Sequence, residues 1–269
     1  MAEFQLAPAT EVDAQRLHAA FGAAFADYLI GPFQLAPSQW PQFLARQAVD
    51  LASSRVALAG DAVLAFCFVA PRPGFARWRL ATMGAVPQAR GTGVAPALLD
   101  DFIDRAPGRV ELECFAQNTR ALRLYESRGF LVRHALHGYA LTAPSSFPRR
   151  RQSRASALED AFAWLEGQDL PLQVTGAALR ALPVSLQAWR EGSAQLIFSE
   201  GADRKIVVHS LVDADVQQRD ARTLVESLIA RYPGWTINVP QLQRRDVGGA
   251  ALERLGFERL PLHQVWLLR

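Results

Sequence analysis

The chain has 269 residues, half of them apolar, with a formal net charge of +3. That length allows one large or two small domains with sizeable cores, and no apolar run reaches the ~20 residues of a membrane span. Its two cysteines, Cys67 and Cys114, stand in apolar strand-like segments without a Cys-x-x-Cys spacing or a nearby histidine pair, so they read as buried thiols and no metal is expected.

In chain order, Glu11 to Ala26 places Val12, Leu17, Ala20, Phe21, Ala24 and Phe25 at helical spacing. Gly31-Pro32 breaks it, and Ser38 is the expected cap of a second helix running to Ala48. Arg55–Ala59 and Val63–Val69 read as strands around the turn Gly60-Asp61, and a third strand runs from Trp78 to Val86. A helix over Val94–Arg105, a strand over Val110–Phe115, and a helix opened by Asn118 and closed by Gly129-Phe130 follow.

The junction Ala85-Val-Pro-Gln88-Ala-Arg90-Gly91-Thr92-Gly93-Val94-Ala95 carries the most information. Two glycines between a strand and a helix start let a ligand approach unpaired N–H groups at the positive end of a dipole, which suits a pyrophosphate. A Walker loop is excluded because the one lysine is Lys205. A dinucleotide fingerprint fails at Pro96. What fits is Gln-x-x-Gly-x-Gly over Gln88–Gly93, followed about 25 residues later by Asn118-x-x-Ala121-x-x-Leu124-Tyr125-x-x-x-Gly129-Phe130. Together these resemble the GNAT superfamily, the Gcn5-related N-acetyltransferases, over residues 3 to 142.

The resemblance implies an α+β fold, a mixed and mainly antiparallel sheet flanked by helices (the acyl-CoA N-acyltransferase fold), with acetyl-CoA as co-substrate. In that fold the strand before the glycine loop and strand Val110–Phe115 are parallel and splay apart. Met83, Gly84, Ala85 and Val86 would then offer backbone groups to pantetheine. Arg90, Gly91, Thr92, Gly93, Val94 and Ala95 would offer N–H groups to the pyrophosphate, with a further charge from Arg90. Asn118 either caps its helix or contacts the cofactor. Tyr125 matches the tyrosine that acts as general acid at the sulfur, and a phenol with a reference pKa of ~10 keeps its proton at neutral pH. Glu113 occupies the place of a catalytic glutamate in some ribosomal-protein acetyltransferases. It is a candidate base if buried beside the cleft, or a carboxylate paired with an arginine. Glu111 is the spare candidate, His18, His134 and His137 read as structural, and a water chain is the remaining route. Phe21, Phe25, Tyr28, Phe33 and Trp40 form an aromatic wall on the expected acceptor side, or fill core.

The second half repeats the pattern. Gln195–Ser199 and Lys205–Val212 read as strands, Ala221–Tyr232 as a helix, Trp235–Val239 as a strand, Gly248–Phe257 as a helix ending in Gly-Phe, and His263–Leu268 as a closing strand. Gln217–Arg222 replaces the glycine loop and Leu252 takes the tyrosine place. The expectation is therefore a tandem: a GNAT domain at 1–142, a Pro/Ser-rich linker at 143–155 holding the basic run Arg149–Arg154, and a degenerate GNAT-like domain at 156–269, or else an unrelated α+β cap. The expected activity is acetyl transfer to a primary amine of a small molecule or peptide. A non-catalytic acyl-CoA-sensing module working through a protein partner is the alternative. The arginine-rich, lysine-poor composition points to a GC-rich bacterial genome rather than to nucleic-acid binding. The start Met1-Ala-Glu-Phe-Gln has no secretory pattern. A cytoplasmic monomer or homodimer without membrane contact is expected.

Overall fold

The computed structural model describes residues 4–148 and 153–269. Its contacts divide the chain into two units. The first holds the described residues up to Cys114, Asn118–Leu131 and Leu267–Arg269; the second holds Phe115–Gln117 and the described residues between Val132 and Trp266. Among the described residues no helix is long and apolar enough to cross a membrane.

In the first unit the strands are β1 (Gln5–Pro8), β2 (Asp50–Ala59), β3 (Ala62–Arg72), β4 (Arg77–Ala85) and β5 (Arg109–Phe115), lying in that order in the sheet. Pairing is antiparallel from β1 to β4 and parallel between β4 and β5. The four-residue β1 is too short to show a period and was not among the expected elements. Helix α1 (Ala14–Ala24) begins at Asp13, whose Oδ1 accepts from Arg16 N at 2.9 Å, and it buries Leu17, Ala20, Phe21 and Ala24. Helix α2 (Trp40–Arg46) is not capped by Ser38, which lies in the 3-10 turn Pro37–Gln39; there the Gln39 side chain accepts from Ala36 N instead. Helix α3 (Val94–Arg105) turns Val94, Leu98, Leu99 and Phe102 inward against β2, β3 and β4, whereas α1 packs on β3 and β4. Helix α4 is Thr119–Glu126.

The second unit contains β6 (Leu131–Thr142, from Val132 onward), β7 (Arg154–Ser156), β8 (Leu186–Glu191), β9 (Ala194–Gly201), β10 (Lys205–Asp213), β11 (Thr236–Arg244) and β12 (Glu258–Leu268, up to Trp266). They are ordered β12-β6-β11-β10-β9-β8-β7. Its helices are α5 (Leu158–Glu166), α6 (Gly176–Arg180), α7 (Arg219–Arg231) and α8 (Gly249–Arg254). One core packs α7 and α8 on β9, β10 and β11 through Leu224, Val225, Leu228, Phe198, Val208 and Ile237. Another packs α5 and α6 through Phe162, Leu165, Leu179 and Ile197. Each unit thus holds antiparallel strands followed by a parallel strand–helix–strand crossover: β4-α3-β5 in the first and β10-α7-β11 in the second.

The unit boundaries differ from 1–142, 143–155 and 156–269. Strand β6 pairs antiparallel with β11, from Thr142 opposite Thr236 to Tyr139 opposite Val239. The last residues close the first unit: Val110 N donates to Arg269 O at 3.1 Å and Arg269 N to Val110 O at 2.9 Å. Backbone groups need partners wherever these come from in the chain. A period of two marks a segment as a strand without saying which edge it completes. The expected linker is structured where it is described. Ala143 is buried and exchanges backbone bonds with Gly234 and Trp235, Ser153 Oγ donates to Ser227 Oγ at 2.9 Å, and β7 pairs with β8. Arg149, Arg150, Arg151 and Gln152 of the basic run lie outside the described residues.

Because Leu267 is fully buried, Leu267→Ala should cost about 2–5 kcal/mol of stability, a usual price for emptying a core site. Deleting Leu267–Arg269 should in addition speed hydrogen exchange at Val110 N–H. An unchanged denaturation midpoint and slow exchange in the deletion would contradict the closure.

Candidate active site

The β4–β5 ladder stops early. Arg77 to Leu80 stand opposite Arg109 to Leu112, and no further pair follows. The register of β3 on β4 shifts at the same place: Val69 faces Leu80 and Phe68 faces Thr82, leaving Ala81 as an extra residue. Such a bulge bends a strand, and it carries Met83–Ala85 away from β5. Gly84 faces α1, where a Cβ would lie 2.9 Å from both Ala24 Cβ and Phe66 Cζ, so only glycine lets the helix come this close.

A cavity of about 430 Å³ fills the opening. It is lined by Met83, Gly84 and Ala85 of β4; Arg90, Gly91, Gly93, Val94 and Ala95 of the loop and α3; and Asn118 and Tyr125 of α4. Gly91 and Gly93 have φ of +79° and +92°, a region that disfavours side chains, and the space where a Cβ would stand is open at both. The N–H groups of Gly91, Gly93, Val94 and Ala95 have no acceptor among the described residues. They form a ready anion cradle at a helix N-terminus. Such a cradle suits an anionic group, and the edge of β4 beyond its pairing with β5 suits an extended, amide-bearing one.

Two residues expected at the cofactor, Val86 on the pantetheine edge and Thr92 in the cradle, are not brought to the cavity wall. Val86 is buried with its N–H on Leu64 O, and Thr92 turns its hydroxyl back to Ala89 O at 2.7 Å. Arg90 lines the cavity but holds a bidentate pair with Asp27, Nη1–Oδ2 2.5 Å and Nη2–Oδ1 2.7 Å, and Nη2 also donates to Ala24 O. The Arg90 guanidinium holds the Asp27 carboxyl below its usual pKa. Asn118 caps its helix, Oδ1 accepting from Ala121 N at 3.2 Å, and the residue also lines the cavity.

Tyr125 packs edge-on against Phe130 at 5.8 Å, and its hydroxyl has no hydrogen-bond partner among the described residues. Burial pushes its pKa well above 10, so the phenol stays protonated. Sequence reasoning did not single out Ala121, Leu124 and Arg120 as wall residues. Once Asn118 and Tyr125 are placed on one helix, the spacing of three and four residues puts Ala121 and Leu124 on the same face.

Glu113 is not at the cavity. Its Oε2 lies 2.7 Å from both Nε and Nη2 of Arg79, its side chain is 2% exposed, and its Oε1 has no hydrogen-bond partner among the described residues. The spare candidate Glu111 is fully buried between Arg72, 2.5 Å away, and Arg77, 3.2 Å away. Residues 111 and 113 share a face of β5 by the period of two, and that face meets the arginines of β3 and β4. Among the cavity-lining residues the titratable side chains are Tyr28, Arg90, Arg120 and Tyr125, none of them a carboxylate or imidazole.

In the second unit a cavity of about 590 Å³ lies beyond β10 and is lined by Asp213, Gln218 and Arg254 among others. Its ladder ends at Val207 opposite Asn238, with a register shift between Val208 and Ser210. The helix start differs, however. Gln218 caps α7 with φ +54° and sends its side chain to Arg245 O and Ala251 N. Asp213, buried, accepts from Ala221 N at 2.8 Å, from Ser193 Oγ at 2.7 Å and from Asp215 N at 2.9 Å. The anion place at this helix is filled by the chain's own carboxylate.

Residues 16–130 match the model of the Acetyltransferase (GNAT) family, a family of acyltransferase enzymes. Solved structures share the fold over 99% of this chain. A GCN5-related N-acetyltransferase from Anabaena variabilis is 15% identical with TM-score 0.69 over 72% of its length. One from Kribbella flavida is 15% identical with TM-score 0.61 over 71%, and one from Sphaerobacter thermophilus 15% with 0.59 over 95%. No curated protein matches the sequence.

Two outcomes are expected from this geometry. Glu113→Gln leaves Arg79 charged and buried against a neutral amide, and should lower stability by ~3–5 kcal/mol while turnover persists. A stable variant with no activity would return Glu113 to the role of base. Burial raises the pKa of Cys114 to about 12 and that of Cys67 as well. Both thiols should therefore ignore an aromatic disulfide reagent at pH 8 until the protein is unfolded, and rapid reaction in the native state would contradict their placement.

Proposed function

We propose that the chain transfers the acetyl group of acetyl-CoA to a primary amine in a ternary complex at the first unit, with one cofactor site per chain. The observation that carries this reading is the row of acceptor-free N–H groups at Gly91, Gly93, Val94 and Ala95. They line the same cavity as Tyr125. Bound there, the co-substrate would supply a thioester carbonyl to the amine. The cradle and Arg90 hold the pyrophosphate, Arg90 giving up Asp27 to do so. Met83–Ala85 pair with the pantetheine amides as an added strand would. Tyr125 gives its proton to the departing sulfur, a task for which a buried, protonated phenol is suited. With no carboxylate or imidazole on the wall, the amine's proton leaves through water. The second unit, its anion place taken by Asp213, is a degenerate copy that supports structure and binds no cofactor.

Calorimetry should find one acetyl-CoA per chain, and Gly93→Asp, which adds a carboxylate to the cradle, should abolish binding. Two equivalent sites would overturn the reading of the second unit, and unchanged binding by the variant that of the first. Tyr125→Phe should lower turnover by ~10²–10⁴-fold, the usual worth of general acid help, with acetyl-CoA affinity nearly unchanged. Equal turnover, measured where chemistry limits the rate, would make Tyr125 a packing residue.

A further inference from the structure

The cavity wall carries two guanidinium groups in opposite states. Arg90 is committed: both of its Nη atoms donate to Asp27, Nη2 also donates to Ala24 O, and Nε donates to Ala85 O at 3.4 Å. Arg120 lines the same cavity from the first turn of α4, is exposed, and makes no side-chain hydrogen bond or ion pair among the described residues. Nothing in the helix favours its place. The first turn is the positive end of a helix, where an acidic residue stabilises and a cation does not, yet this turn holds Arg120 and no acidic residue. Three and four residues on, where a carboxylate would pair with it, stand Arg123 and Leu124. Arg90 must break a bidentate pair before it can serve an anion, and Arg120 need break nothing.

Coenzyme A carries its phosphates in two separate groups. One is the pyrophosphate, assigned above to the cradle of α3. The other is a monoester on the ribose 3′ oxygen, with a charge of about −1.5 to −2 at pH 7. We infer that Arg120 binds this 3′-phosphate and so recognises an acyl donor that ends in a 3′-phosphorylated nucleotide. This rests on the reading of the site given above. A monoester presents its oxygens in a geometry that a planar guanidinium meets with two parallel N–H bonds. The contact lies at a wet rim, so salt screens it. The pantetheine arm also occurs joined through a single phosphate to a serine of carrier proteins. Such a thioester offers β4 the same amides but brings no 3′-phosphate, and it leaves Arg120 without an anion. The donor class selected is therefore the free CoA thioester.

The test is calorimetry on the full chain at low ionic strength, comparing acetyl-CoA with acetyl-dephospho-CoA, which lacks only the 3′-phosphate. The wild type should prefer acetyl-CoA by about 5–10-fold, the worth of one charge-assisted pair at an exposed rim, and added salt should shrink the preference. Arg120→Ala should bind the two ligands alike, losing affinity for acetyl-CoA and none for the dephospho form. Arg120→Glu, which sets a carboxylate against the phosphate, should reverse the preference. Both replacements suit an exposed first turn, so both variants should fold. Arg123→Ala, on the same helix but off the cavity wall, should keep the preference. Equal binding of the two ligands by the wild type overturns the assignment, as does a preference that survives in Arg120→Ala. Equal weakening of both ligands in Arg120→Ala would put the guanidinium on the pyrophosphate and overturns it too. Loss of the preference in Arg123→Ala as fully as in Arg120→Ala would reduce the effect to the general charge of α4, and the assignment fails. Failure of the wild type to bind either ligand would instead remove the cofactor reading, and this inference with it.

Discussion

Everything at the site follows from a parallel ladder that ends too soon. Had β4 and β5 stayed paired past Leu80 and Leu112, the backbone of Met83–Ala85 would be spent on the sheet. The single extra residue Ala81 prevents this, and its effect is amplified because the strand then runs into a loop that begins a helix. A bulge and a helix start are individually common, and neither makes a site. Placed one after the other, they leave an unpaired edge and an unpaired cradle a few residues apart, a pattern that an extended molecule with an anionic end can satisfy along its whole length.

The second unit shows the same bend with a different sequel. Its parallel ladder also stops just before a register shift. The helix start differs: Gln218 stands in the left-handed region and Asp213 occupies the third N–H of α7. A carboxylate built into the chain satisfies the helix end as an external anion would, and permanently. The contrast separates a cradle whose N–H groups have no acceptor among the described residues from a helix start satisfied by the chain itself, although both units have cavities of useful size.

Much of the first unit was legible because short-range rules fix it. The strand, loop and helix from Trp78 to Arg105, and the cap at Asn118, depend on glycine conformation, helical period and a side-chain oxygen placed three residues before an N–H. The side-chain partners were not legible. A period of two places Glu113 and Glu111 on one face, but only the sheet order reveals that Arg79, Arg72 and Arg77 share that face. Arg90 was read from its neighbours in sequence, and its partner Asp27 lies 63 residues away. The segment from Arg154 to Glu191, with β7, α5, α6 and β8, escaped notice because its elements are short and their apolar residues serve a core completed elsewhere in the chain.

The pairing of Arg269 with Val110 has a consequence for how the protein is made. Synthesis proceeds from the N-terminus, and early domains ordinarily fold while later ones are still being added. Here the first unit counts Leu267, Val110 and Arg269 among its own residues, so the edge of β5 stays open until the last of them has been polymerised. The unit encoded first is therefore completed last, and until then its exposed strand edge is open to pairing with another nascent copy.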